Sequence, residues 1–552
     1  MRPVDAMLDV LADEGVTTVF GNPGTTELPF TEALARRDGF SYVLGLQEGS
    51  VVAMADGYAR ATRRPAFVSL HVAAGLANGL VGLLNASRSR TPLVVTAGQQ
   101  DRRHLASDPM LSGDLVGLAR SAVKQTFDVQ HAHDLPLLLR RAFAMAVRPP
   151  AGPVFLSIPM DLLEEEGPIE PPAPRSRLAG LGVAAGVAEA AQLLAGARRP
   201  AIVAGDGVSR DDAVAEMVAV AEALGAVTFH QPMHDRVDFP TTHDLYDGML
   251  DARHSAIRHR LTGHDVVLIV GTHAFMAHHY TPGSPIPPDT SVVQLDCDPA
   301  EPGRNFPVAL GMVGGIRATL AELARELRGR VPVAAERRAE IGRRTAAHRD
   351  RVRAEALAGY GKAPLDPLAA VHAITTGLPA DAVVVEEAIT SGILLRSVLP
   401  LERPGSYVHT AGGGLGSGIG AAIGTRMGDP GRPVVAVLGD GCTMFGLQGL
   451  WSAARYGVPV TFVVMNNGEY RTLKETIDRR GHLTGAADPY LGLDLGPPEL
   501  DFTRAAEFFG IRALRVHSAD HLAEAVAKAA VGDEAVLIDV PVTRHRTSRL
   551  AP

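Results

Sequence analysis

The stretch VVAVLGDGCTMFGLQGLWSAARYGVPVTFVVMNNGEY, residues 434–470, decides the fold. Its apolar runs VVAVLG and PVTFVVMN read as buried parallel strands, joined by the helical pattern LQGLWSAARYG that ends at Gly457. Strand, helix and strand of this length make one βαβ crossover. Each strand stops on a polar triplet, Gly439-Asp440-Gly441 and Asn466-Asn467-Gly468. Both triplets therefore fall at the carboxyl ends of parallel strands, the edge where α/β sheets bind ligands. An aspartate oxygen, an amide oxygen and a nearby backbone carbonyl are hard donors suited to Mg²⁺ or Ca²⁺, which would share its remaining positions with phosphate and water. Either triplet alone is an ordinary turn; their pairing across one crossover points to a metal held on a diphosphate.

Outward from this unit the same alternation of short apolar strands and helices continues, which predicts α/β architecture with doubly wound parallel sheets. It divides the chain into three: residues 1–165, residues 186–330, and residues 364–552. The proline-rich segment EEEGPIEPPAPRSRLAG marks a linker at roughly 163–186. The tract ERRAEIGRRTAAHRDRVRAEALAGYG reads as a solvated helical connector, since its arginines are interspersed with glutamates.

A chain of 552 residues, 46% of them hydrophobic, exceeds what one core usually supports. Its 53 basic and 61 acidic residues give a net charge of -8, with no basic field for a nucleic-acid backbone. Cys297 and Cys442 are the two cysteines, which excludes a disulfide framework and a cysteine-rich zinc site and fits a reducing compartment. The N-terminus carries charges throughout an amphipathic helix pattern, and no long charge-free apolar run occurs; a cytoplasmic protein with no membrane partner is expected.

GDG followed at this spacing by NN resembles the cofactor signature of thiamin-diphosphate-dependent enzymes. The resemblance narrows with FGNPGTTELPF (20–30), LQEGSVVAMADGYARATRRPAFVSLHVAAG (46–75), NASRSRTPLVVTAGQQ (85–100), HDVVLIVGTHAFMAHHYTPG (264–283) and SYVHTAGGGLG (406–416). These stretches run through all three domains and are similar to the 2-oxo acid decarboxylases of the benzoylformate decarboxylase group. The resemblance implies an N-terminal pyrimidine-binding domain, a central domain and a C-terminal diphosphate-binding domain. It implies that Asp440, Asn467 and the backbone carbonyl of Glu469 hold Mg²⁺ (or Ca²⁺) on thiamin diphosphate. Thr390, Ser391, Gly413, Gly441, Cys442 and Tyr470 would be further cofactor contacts, and Leu415 would bend the cofactor. Glu48 matches the glutamate that hydrogen-bonds the aminopyrimidine ring, usually from a second subunit, so a homodimer or homotetramer with sites between subunits is implied.

By the same matching, His71 and His278 are the two proton-handling histidines and Thr25 is the hydroxyl that binds the substrate carboxylate. Histidine suits such a role because its ordinary pKa lies near neutrality. Each residue has a plainer reading: Glu48 as an acid in a helix first turn, Thr25 as an N-cap, His278 as a solvated loop residue. A zinc site at His273, His278 and His279 is supported only by weak spacing.

The sequence departs from that group around the substrate. His409 and Thr476, which with Thr472 fall on the expected substrate pocket, stand where benzoylformate decarboxylase carries phenylalanines, and Cys442 replaces a serine. Loss of ring contacts disfavours an aromatic substrate. Benzoylformate and a smaller, more polar or hydroxylated 2-oxo acid both stay open. The implied reaction is non-oxidative decarboxylation to an aldehyde and CO₂. The rival is carboligation or lyase chemistry, as in acetolactate synthases and aldehyde lyases. A non-catalytic nucleotide-binding or regulatory α/β protein would have no chemical use for Glu48 with His71. An NAD-dependent dehydrogenase lacks support, since GGGLGSG has neither a clear preceding strand nor an acidic ribose residue beyond it. The basic tail TRHRTSRLAP reads as a solvated terminus, or as a segment closing over the site.

Overall fold

The computed structural model describes residues 1–165, 169–481 and 490–544; the tail from residue 545 onward lies outside the described residues. The strands Val434–Gly439 and Val460–Asn466 pair in parallel, in register from Val434 opposite Val460 to Gly439 opposite Met465. Both are β-branched runs buried on both faces. The expected helix within 447–457 is Gly449–Arg455, and an additional helix, Asp440–Gly446, precedes it. The additional helix starts at the aspartate itself and ends at Gly446, where a Cβ would lie 2.2 Å from the Gly416 carbonyl.

Three six-stranded parallel sheets result. The C-terminal sheet has the order Tyr407–His409, Val383–Glu387, Val434–Gly439, Val460–Asn466, Val536–Pro541, Arg512–Arg515. The N-terminal sheet repeats it: Ser41–Leu44, Thr18–Gly21, Ala66–Leu70, Leu93–Gln99, Val154–Pro159, Gln125–Asp128. Counted within each domain, both read 2-1-3-4-6-5, whereas the middle sheet, from Pro200–Ala204 to Leu310–Val313, reads 3-2-1-4-5-6. The connector is the helix Ala334–Ala358, mostly exposed, with Arg337 donating to the carbonyls of Ala197 and Leu224 on the middle domain. Among the described residues no helix is long and apolar enough to cross a membrane.

The two outer domains meet through equivalent elements, the helices Glu48–Thr62 and Ser417–Gly428 that connect the second strand to the third in each. Their crossing is lined with glycine. A Cβ on Gly424 would sit 1.8 Å from the Met54 carbonyl oxygen, and one on Gly57 would sit 2.0 Å from that of Ala421. Only hydrogen fits where backbones approach this closely. Around the crossing, Val51, Val52, Met54, Ala55, Ile419, Ala421 and Ile423 form one continuous apolar core shared by the two domains.

All three domains converge on a buried polar junction. Arg60 pairs with Asp56 at 3.0 Å and with Asp235 of the middle domain at 3.3 Å. Its guanidinium also donates to the His409 carbonyl at 3.4 Å, and the His409 amide donates to the Asp235 carbonyl at 3.4 Å. The His409 ring faces Glu386 and Arg396, which pair at 2.5 Å, and Tyr407 donates its hydroxyl to Glu386 at 2.8 Å. Burial alone would raise Glu386, but the charges of Arg396 and His409 hold it well below the usual carboxylate range. Among the described residues Asp206 has no such ion-pair partner. Burial, and then the neighbouring Asp235, push it up to about 7.

Two measurements test this packing. Gly424→Ala should lose about 1–3 kcal/mol in thermal or denaturant unfolding, the usual cost of overpacking. Gly431→Ala, whose Cβ would meet nothing nearer than 3.8 Å, should behave as the parent. Folded Asp206 keeps a proton that the unfolded chain releases above about pH 4, so its stabilising contribution, full in acid, is lost as pH rises to about 7. The melting temperature of Asp206→Asn, taken relative to the parent, should therefore rise across that window; a difference flat with pH would contradict the assignment.

Candidate active site

Both outer sheets reverse strand order between their first and third strands, and the crevice at that point is where such sheets take ligands. In the C-terminal sheet those strands end at Glu387 and Gly439, so the segments that follow, with Thr390 and Asp440, share the crevice. The Asp440 carboxylate is 5% exposed and accepts three backbone amides: Gly441 at 2.7 Å, Asn467 at 3.0 Å and Gly468 at 2.6 Å. It thereby ties the two polar triplets to one another. The Asn467 side-chain oxygen accepts the Glu469 amide at 2.9 Å, which curls the loop so that Gly468 takes a φ of +68°. A Cβ on Gly441 would lie 2.6 Å from the Tyr470 ring, so bare backbone is required there.

A second layer fixes this loop from behind. The Tyr470 amide donates to the Leu493 carbonyl at 2.8 Å and the Leu495 amide to the Gly468 carbonyl at 2.9 Å. Lys474, buried, bridges the Glu469 and Asp494 carboxylates at 2.5 and 2.7 Å. Thr390 and Thr472 bring their hydroxyls to 2.8 Å, Ser391 is buried beside them in sequence, and the Cys442 thiol is pushed up by burial.

These donors fit a hard divalent cation. They are oxygens, and among the described residues no lysine or arginine pairs with Asp440, whose pKa is raised by burial. Mg²⁺ there would supply the charge that the carboxylate lacks.

At the N-terminal sheet's own reversal point, Thr18–Gly21 and Ala66–Leu70 deliver the turn Thr25–Glu27 and His71. His71 Nδ1 lies 2.8 Å from the Glu27 carboxylate and 3.1 Å from the Thr26 hydroxyl. Glu27 is itself anchored, accepting the Gly24 and Gly98 amides at 2.9 Å each. A Cβ on Gly24 would collide with the imidazole at 2.2 Å. With Nδ1–H donated to Glu27, Nε2 is the nitrogen free to take or give a proton. Thr25 is exposed at the start of this turn.

Glu48 opens the helix Glu48–Thr62, buried, with its carboxylate accepting the Asn78 amide at 3.0 Å. Its partner is Asn78, not the Asp440–Asn467 loops. Between them runs the loop 410–416. Asn85 donates to the Gly414 carbonyl at 2.7 Å and accepts the Gly414 amide at 3.0 Å, while Gly413 has a φ of +75° and nothing within 4 Å of where a Cβ would be. Leu415 is half-buried there.

Three histidines singled out in the sequence are placed as follows. His409 was read as a pocket residue, but its side chain is 2% exposed and taken up by Glu386 and Arg396, because buried charge of that kind draws in any polar ring beside it. His278 lies in an exposed loop, 3.2 Å from His279, and is not brought to His71. His273 turns to Glu301 at 2.7 Å, and among the described residues no group of three His, Cys, Asp or Glu side chains could hold a metal. Glu27 and Asn85 were missed altogether. Glu27 lies 44 residues from His71, within a stretch legible only as a turn.

Comparison with known proteins gives the same family for each domain. Residues 1–132 match the thiamine pyrophosphate enzyme N-terminal TPP binding domain, 187–323 the central domain, and 390–540 the C-terminal TPP binding domain. Benzoylformate decarboxylase of Pseudomonas aeruginosa is 38% identical over 97% of this chain and 98% of its own. A putative acetolactate synthase large subunit of Mycobacterium tuberculosis is 30% identical over 98% of this chain and 99% of its own. The thiamine diphosphate-dependent 4-hydroxybenzoylformate decarboxylase of Rhodococcus jostii RHA1 superposes with a TM-score of 0.88 at 33% identity, covering 99% of this chain and all of the other. The chain belongs to the thiamine-pyrophosphate-dependent 2-oxo acid decarboxylase family. It is a lyase of that family, working with thiamin diphosphate and a divalent metal such as Mg²⁺.

Glu27→Gln keeps the size of the side chain and removes the charge that orients His71. Turnover should fall at least about tenfold, within the range usual for proton-transfer groups. Calorimetric binding of thiamin diphosphate should stay as in the parent; a variant with full turnover would free His71 from dependence on Glu27.

Proposed function

We propose that this enzyme decarboxylates a 2-oxo acid without oxidation: R–CO–COO⁻ and one proton give R–CHO and CO₂. The contact that carries the reading is Glu27 to His71 Nδ1, which leaves Nε2 as a proton carrier at the reversal point of the N-terminal sheet. When bound, thiamin diphosphate supplies a carbon nucleophile and a sink for the electron pair left by CO₂. Asp440, Asn467 and the Glu469 carbonyl would hold the metal. Thr390, Ser391, Gly413, Gly441, Cys442 and Tyr470 would lie along the diphosphate, with Leu415 under the bend and Glu48 on the aminopyrimidine.

Thr25 would orient the substrate carboxylate through its hydroxyl. His71 would move a proton at Nε2, and His278, matched to the second proton-handling histidine by the sequence resemblance, would be the second proton carrier. Thr472 and Thr476 would wall the substrate pocket for benzoylformate or a more polar analogue. The domains assigned to these tasks are residues 1–165, 186–330 and 364–552.

A homodimer or homotetramer with sites between subunits is part of the proposal. Ile389, Ile393, Met444 and Phe445 support it, being exposed apolar side chains flanking Thr390 and Asp440. Glu48 of one copy would then serve the metal loop of another. A cytoplasmic location is proposed with it.

Likeness to an acetolactate synthase favours a second reading, in which the same site joins the substrate's carbonyl carbon to a second carbonyl compound. The test is CO₂ release from a panel of 2-oxo acids, with Mg²⁺ and thiamin diphosphate added or omitted, and product analysis with and without an acceptor aldehyde. Free aldehyde is expected as the main product. Glu48→Ala should lose at least about 100-fold in turnover, and Asp440→Ala should lose Mg²⁺-dependent cofactor binding. Full cofactor-dependent turnover in both variants would refute the site assignment.

A further inference from the structure

The helix Arg471–Arg480 begins at Tyr470, three residues beyond Asn467, and carries three polar groups along one face. Thr472, Thr476 and Arg479 are spaced i, i+4, i+7, so they stack on one side. Thr472 touches Thr390 at 2.8 Å, which fixes this face to the strand-end crevice. The Thr476 hydroxyl donates to the Thr472 carbonyl at 2.9 Å, and the Arg479 guanidinium reaches back to that hydroxyl at 3.2 Å. Helical side chains lean toward the N-terminus, so the charge of Arg479 is carried a turn closer to the crevice than its Cα.

The helix's acids face elsewhere. Glu475 lies 3.3 Å from Arg471, and Asp478 accepts the Tyr490 hydroxyl at 2.6 Å. Among the described residues, Arg479 and Arg480 form no ion pair, and both are exposed. The middle-domain loop adds to the same field. Burial and then the charges of His278, Arg479, Arg480 and Arg253 push the His279 ring down. Of these, Arg253 is neutralised by Asp251 at 2.8 Å. Among the described residues, the end of this helix thus carries two guanidinium groups without an ion-pair partner, where an uncharged substrate tail would need none. Favourable placement at a helix C-terminus accounts for a basic residue there, but not for a guanidinium bonded to the hydroxyl of the pocket wall.

We infer that Arg479, set by Thr476, is a specificity-determining residue that receives an anionic group at the far end of the substrate, so that the substrate class is 2-oxo dicarboxylic acids. The Arg479 Nε donates to the Glu475 carbonyl at 3.2 Å, so the end-on N–H groups of Nη1 and Nη2 are the parallel pair that can donate to a carboxylate, a geometry that a neutral or methyl-terminated chain cannot use. The inference rests on the decarboxylase reading and narrows it.

The test uses the holoenzyme with Mg²⁺ and thiamin diphosphate. CO₂ release is measured from 2-oxo dicarboxylic acids of five, six and seven carbons and from their methyl-terminated and hydroxyl-terminated counterparts. The diacids should be favoured in kcat/KM. Arg479→Gln should cut the diacid-to-neutral ratio about ten- to a hundredfold, mostly through KM, as expected for loss of a charge-assisted hydrogen bond. Arg479→Lys should restore part of it. Neutral or hydroxylated acids turned over as well as diacids, or a ratio unchanged in Arg479→Gln, would overturn the inference and leave decarboxylation standing. If no 2-oxo acid released CO₂, both readings would fall. Calorimetric binding of glutarate against pentanoate gives a readout independent of turnover. Glutarate should bind the parent more tightly and lose that advantage in Arg479→Gln; equal binding of the two acids would overturn the inference.

Discussion

Backbone meets backbone where the helix Glu48–Thr62 crosses the helix Ser417–Gly428, and the rest of the molecule is arranged around that contact. Because Gly57 and Gly424 leave no room for a side chain, the crossing has one depth and one angle. The first helix begins with Glu48 and the second begins just after the Gly412–Gly416 loop. Asn85 then locks that loop to the N-terminal domain through both edges of its amide. The two helices occupy the same place in sheets of the same strand order, so one close contact aligns two like domains.

The site chemistry follows from where those sheets reverse direction. Each reversal opens a crevice at strand carboxyl ends, and each is filled by one buried carboxylate that organises its neighbours. In the C-terminal domain Asp440 gathers three amides and, among the described residues, has no cation among its side-chain partners. In the N-terminal domain Glu27 gathers two amides and a histidine. Under the proposed function the same device would present a metal site in one domain and a proton carrier in the other, the difference being what the carboxylate's remaining lone pairs face.

Much of this was legible in the sequence, and the illegible part has a common cause. Strand and helix periodicity reports which residues are buried, so the three α/β units and the meeting of Asp440 with Asn467 across one crossover could be read directly. Periodicity does not report which buried charge faces which. Glu27 looked like part of a turn because its partners, Gly98 and His71, arrive from two later strands. His409 matched a pocket position by alignment of its neighbours, yet the sequence held no sign that Glu386 and Arg396 would claim its ring. The additional helix Asp440–Gly446 was likewise hidden, and the close approach at its end comes from Gly416, thirty residues earlier.

His409 has its amide bound to the middle domain, its carbonyl to the N-terminal domain and its ring to its own. A residue held from three directions makes the domains poor candidates for independent exchange. A middle domain transplanted from a relative would have to bring an acid matching Arg60 and a backbone carbonyl placed for the His409 amide, or leave buried groups without partners. Recombination among enzymes of this architecture is therefore constrained at Asp235, a residue outside the proposed cofactor contacts and substrate wall.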